Sequence, residues 1–143
     1  MKLFIVLSMF SFLSFNLSPS ENLPTPPAEE SECRLQLVKL ECLVSEGFVS
    51  ADAIYFKVDF GYGVEEWPSS RIRMTSGDSR SLSGTNSIVI DNRVSFNMWD
   101  DDTWDADDNL GTASISCLDK GAGQKYIEFT QDGAHYKLFY KVF

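Results

Sequence analysis

Apolar and polar residues alternate with a period of two through three stretches of this chain, a pattern that specifies strands with one buried face. In Ile54-Tyr55-Phe56-Lys57-Val58-Asp59-Phe60, the residues Ile54, Phe56, Val58 and Phe60 share one side. Val94, Phe96 and Met98 do the same in residues 93–98, and Tyr136, Leu138, Tyr140 and Val142 in residues 135–142. Less regular stretches at 34–44, 71–75, 86–91, 112–117 and 125–130 carry similar apolar content between turn residues. No window of a dozen residues shows helical spacing, and there is no internal repeat. The expectation is an all-β, eight-stranded antiparallel β-sandwich, with a barrel as the alternative.

The N-terminal part reads differently. Lys2 precedes Leu3-Phe4-Ile5-Val6-Leu7-Ser8-Met9-Phe10-Ser11-Phe12-Leu13-Ser14-Phe15, and no charge follows until Glu21. One cation, a short apolar core and small residues at Ser18-Pro19-Ser20 read as a secretory signal peptide over 1–20. A short membrane anchor is the alternative. Residues 21–32, ENLPTPPAEESE, hold three prolines and four glutamates. They read as an extended, disordered leader. The folded domain is expected over 33–143, as a secreted monomer. The one Asn-x-Ser/Thr triplet, Asn16-Leu17-Ser18, falls inside the signal, so no N-linked sugar is expected.

An oxidising compartment makes the three cysteines candidates for a disulfide. Cys33 and Cys117 fall at the margins of expected strands and Cys42 well inside one, which favours a Cys33–Cys117 bridge with Cys42 as a buried thiol. Three cysteines and one histidine at these spacings do not make a zinc site. The net charge of −9 argues against a nucleic-acid partner, whose phosphates call for a basic surface.

Six of the nine residues from Asp100 to Asp108 are aspartate, directly after an alternating strand. Two carboxylates about 4 Å apart repel by about 1 kcal/mol in water, and by several times that where water is partly excluded. A hard cation offsets that cost, and calcium, which takes six to eight oxygens in flexible geometry, is the first choice. The segment is not an EF-hand. Counted from Asp105, the glycine position holds Leu110, the twelfth holds Ser116, and the flanks are strands. A solvated acidic turn without metal is the alternative.

Asp100-x-Asp102-x5-Asp108-Asn109-Leu110-Gly111, after a strand ending in Met98-Trp99, resembles the third calcium loop of a C2 domain. A partner loop is required, and Glu46-Gly47-Phe48-Val49-Ser50-Ala51-Asp52 before Ile54-Tyr55-Phe56-Lys57-Val58 resembles the first calcium loop. Glu46 stands where that family has Asp, the usual Pro is absent, and one extra residue separates Asp52 from Tyr55. The resemblance covers roughly residues 34–143. Gly133-x-x-Tyr136-x-Leu138-x-Tyr140-x-Val142 is similar to the strand that closes type II members, which implies the type II permutation. The family's "NP-W-N" segment is missing; Ser83-Gly84-Thr85-Asn86-Ser87 stands there.

The resemblance implies calcium ligands at Glu46, Asp52, Asp100, Asp102 and Asp108, with Asp102 bridging two ions. Asp101, Asp105 and Asp107 fall between ligand positions. Phe48, Val49 and Trp104 would then be membrane-contact residues on the loop tips, with packing over the loop base as the alternative for Trp104. The implied function is docking to anionic phospholipid membrane through calcium-loaded loops. An extracellular protein-interaction module in which calcium only stabilises the loops is the second reading. An enzyme is not expected: there is no Gly-x-Ser-x-Gly motif, and His135 lies on an alternating strand as a surface residue. Arg71, Arg73, Arg80 and Lys57 read as ion-paired surface, and Gly121-Ala122-Gly123 as a turn.

Overall fold

The computed structural model describes residues 32–47, 50–102 and 106–143. Nine strands succeed one another: β1 (Glu32–Val44), β2 (Asp52–Asp59), β3 (Val64–Met74), β4 (Ser79–Ser81), β5 (Ile88–Asp91), β6 (Arg93–Asp100), β7 (Asp108–Ser116), β8 (Lys125–Phe129) and β9 (His135–Val142). One 3-10 turn, Cys117–Asp119, links β7 to β8, and among the described residues no helix is long and apolar enough to cross a membrane. One sheet has the order β4-β1-β9-β8 with β5 also on β1; the other has the order β3-β2-β6-β7. Every strand pairing is antiparallel.

The eight strands read from the sequence are all present. The ninth, β4, went unread because the three residues of Ser79-Arg80-Ser81 are all exposed and carry no apolar alternation. The expected strand at 71–75 is the end of β3, which begins at Val64 and includes Trp67-Pro68. Proline is tolerated there because β3 is an edge strand, with one side free of ladder hydrogen bonds.

The period of two becomes a core by burying the inner rows of both sheets against each other. Leu35, Leu37, Leu40, Leu138 and Tyr136 from one sheet meet Ile54, Phe56, Phe96, Met98 and Ile115 from the other, all at 2% exposure or less. Phe56 is the hub, with its ring 5.9 Å from Phe96, 5.8 Å from Phe129 and 5.8 Å from Trp67. Each such fully buried side chain stabilises the fold by roughly 1.5–3 kcal/mol relative to exposure.

Cys33 and Cys117 form a disulfide, with Cα atoms 5.7 Å apart, closing 84 residues of chain. Cys33 lies inside β1 rather than outside it, and Cys117 opens the 3-10 turn. Cys42 is a free, buried thiol whose burial pushes its pKa up. Replacing Cys33 and Cys117 with Ser should lower the unfolding free energy by about 2–4 kcal/mol in denaturant titrations. In the native protein Cys42 should resist thiol reagents until denaturant is added.

Candidate functional site

All the acidic loops lie at one end of the sandwich. The chain leaves β1 at Val44 and enters β2 at Asp52; it leaves β6 at Asp100 and enters β7 at Asp108; it turns from Phe129 to His135 between β8 and β9. Because β2 and β6 pair with Ile54 opposite Asp100, the first two of these loops are held side by side. The register brings together Glu46 from the first loop with Asp102 and Asp108 from the second: one oxygen from each lies within 4.8 Å of the others. Two oxygens bound to one calcium ion at about 2.4 Å lie at most about 4.8 Å apart, so the spacing and the all-oxygen donor set fit that ion.

Asp52 and Asp100 lie beneath this trio, at 1% and 5% exposure. Asp52 is held by three donors. The backbone N–H groups of Glu46 (3.0 Å) and Gly47 (3.4 Å) reach its carboxylate from the loop, and the Tyr136 hydroxyl donates from the opposite sheet. The Asp100 carboxylate accepts from the backbone N–H of Ala53. These two expected ligands therefore spend part of their acceptor capacity fixing the loop bases, while Glu46, Asp102 and Asp108 converge above them.

The remaining acids have separate roles. Asp101 takes the Arg71 guanidinium, which also bonds Glu66, and Asp107 accepts from the Tyr55 hydroxyl at 2.6 Å. Arg71 lies 3.9 Å from the Tyr55 ring centroid and Lys57 4.2 Å from that of Trp99, so these cations cover aromatic surface. His135 contacts Glu128 at 3.1 Å on the sheet surface. Phe48, Val49, Trp104 and Asp105 lie outside the described residues.

Burial first, and charge crowding after it, raise two of these carboxyls. The Glu46 carboxyl is pushed up to about 7, chiefly by burial and then by Asp108, Asp132, Asp100 and Asp102. Asp100 is pushed up to about 6 by burial, against the lowering effect of the Ala53 N–H, with Asp52, Asp102 and Asp108 adding to the rise.

Sequence reading missed two contributors. Asp132, in the β8–β9 turn, has a φ of 53°, and Asp132-Gly133 signals a turn without showing that it faces the acidic loops. Tyr136 reads as a core position, and nothing in the period reveals that its hydroxyl ends on Asp52. The motif glycine, by contrast, has a clear local reason. Gly111 has a φ of 128°, a backbone conformation that a side chain would strain.

Two expectations follow. A raised carboxyl pKa means that the native state holds its proton where the unfolded chain has lost it. That stability is fully present below about 4.5 and is lost as pH rises through about 7. In EDTA, the melting temperature of the native sequence should therefore fall relative to Glu46→Gln between pH 5 and 8; parallel curves would show that Glu46 titrates normally. Tyr136→Phe strips one donor from a buried carboxylate and should lower stability by about 1–3 kcal/mol in denaturant titrations.

No protein-family model matches this sequence, and no curated relative does. Solved structures are similar in fold. The tandem C2 domains of Extended-Synaptotagmin 2 superpose with a TM-score of 0.55 at 12% identity, covering 96% of this chain and 47% of that one. The calcium-bound form of the same pair gives 0.54 at 13% identity, covering 81% and 46%. A C2 domain of plant Extended Synaptotagmin 1 gives 0.50 at 9% identity, covering 79% and 92%. The chain thus spans about half the length of the two-domain structures. Two antiparallel sheets in these strand orders, with their acidic loops at one end, have the fold of a C2 domain.

Proposed function

We propose that this chain is a secreted, non-enzymatic, calcium-binding C2-like module that docks to anionic phospholipid membrane through its loop tips, and that it acts as a monomer. The observation that carries the reading is the convergence of Glu46, Asp102 and Asp108 from two loops within the span of one calcium coordination sphere. Glu46, Asp102 and Asp108 would hold the ion, with Asp52 and Asp100 supporting them from below. When bound, the ion supplies positive charge between loops that otherwise repel an anionic surface.

Phe48, Val49 and Trp104 are apolar residues interleaved with these acids in sequence, which suits loop tips that meet lipid. The apolar segment at 3–15 and a disulfide joining distant parts of the chain support export to an oxidising compartment.

The second reading is an extracellular protein-interaction module in which calcium only ties the loops down. It is favoured by the engagement of Asp52 with the backbone of the first loop and of Asp100 with the start of β2, which makes loop order the quantity a bound ion most directly changes.

A thermal melt in EDTA and then in millimolar calcium tests the site. At about 100 times the dissociation constant the gain is about 2.7 kcal/mol, or a rise of roughly 10 °C for a domain this size. The rise should vanish in Asp102→Asn; no rise in the native sequence would overturn the calcium reading. Sedimentation with phosphatidylserine liposomes then separates the two readings. Phe48→Ala/Val49→Ala/Trp104→Ala should lose calcium-dependent pelleting and keep the thermal shift. Pelleting that survives would overturn docking through these loop tips, and native protein that shifts but never pellets would overturn membrane docking.

A further inference from the structure

Away from the acidic loops, the sandwich is open along one edge. Between β3 of one sheet and the β4–β5 connection of the other lies a cavity of about 450 Å³. That volume falls within the range of small-molecule sites. Its walls come from both sheets: Leu37 and Ile88 on one side, Val58, Trp67 and Phe96 on the other, with Phe60 near the β2–β3 turn. Phe60, Trp67 and Ile88 are only partly buried, so apolar surface is left facing the opening.

Thr85, Asn86 and Glu65 are the polar side chains of this lining, and of these Glu65 alone carries a charge. β3 pairs with β2 so that Trp67 lies opposite Phe56 and Ile72 opposite Ile54, and those residues face the core. Glu65 lies opposite Val58 on the same row. An exposed carboxylate therefore stands on that row, at the mouth of a largely apolar, aromatic-walled cavity. Among the described residues it forms no hydrogen bond or ion pair. Aromatic walls attract cations, and a carboxylate beside apolar surface is best satisfied by a paired positive charge. The aliphatic and aromatic lining takes an apolar body.

We infer that this inter-sheet cavity is a second ligand site, selective for apolar organic cations of the alkylammonium class, with Glu65 pairing the ammonium and Trp67, Phe60 and Ile88 holding the chain. The site stands apart from the calcium reading and does not depend on it.

Decylammonium and decanoate, below their micellar concentrations, make the test, since they share a chain and differ in charge. Titrations are followed by NMR at the Trp67 indole N–H. Decylammonium should bind about three- to fivefold more tightly than decanoate, as one exposed, partly screened ion pair allows. The overall acidity of the protein also favours the ammonium, so the decisive comparison is Glu65→Gln. That variant should lose most of the preference while its melting temperature is unchanged. Ile88→Phe, which places a ring in the opening, should weaken both ligands. No shift at Trp67, or a preference that survives in Glu65→Gln, would overturn the site and leave Glu65 as an edge-protecting charge only.

Discussion

Burying the Asp52 carboxylate between two apolar sheets is the constraint around which the acidic end is organised. A carboxylate at 1% exposure is tolerated only where donors replace the water it has lost. Here the donors come from both sides of the sandwich. Glu46 and Gly47 supply backbone N–H groups from the β1–β2 loop, and Tyr136 supplies a hydroxyl from β9. One carboxylate thus joins the loop that carries Glu46 to both sheets. Asp100 does similar work next to it by accepting from Ala53 at the start of β2.

With those two acids committed to the frame, like-charge repulsion is concentrated above them. Glu46, Asp102 and Asp108 approach one another because their loops leave paired strands, and no local attraction draws them together. Burial and that proximity are what lift Glu46 and Asp100 above the usual carboxylate range. Away from that end lies the converse arrangement: a largely apolar cavity with an exposed carboxylate, Glu65, at its mouth. On the readings proposed above, one sandwich would carry two kinds of negative site, a crowded oxygen cluster for a hard inorganic cation and an acid beside aromatic walls for an organic one.

The strands with clear alternation were legible because a period of two needs only the chain itself. Ile54, Phe56 and Val58, or Leu138, Tyr140 and Val142, declare their face without reference to any partner. β4 was not legible, since three exposed residues pair with β1 only because the edge of that sheet offers unused hydrogen-bonding groups. The acidic segment was legible as a cluster by density alone. Its division of labour was not: Asp101 on Arg71 and Asp107 on Tyr55 are settled by side chains 30 and 52 residues away.

The sequence by itself determined the all-β class, the faces of the regular strands, the two acidic loops and the residues available for a disulfide. Each follows from local periodicity, charge density or residue type, which neighbours along the chain carry in full. Only the tertiary structure decided that Asp52 and Asp100 are buried and hydrogen-bonded while Glu46, Asp102 and Asp108 converge, that Tyr136 and Asp132 belong to that end, and that Glu65 stands at an open seam between the sheets. Those outcomes depend on strand register and on which edges the two sheets leave uncovered. Both are set by long-range pairing that no short window of sequence contains.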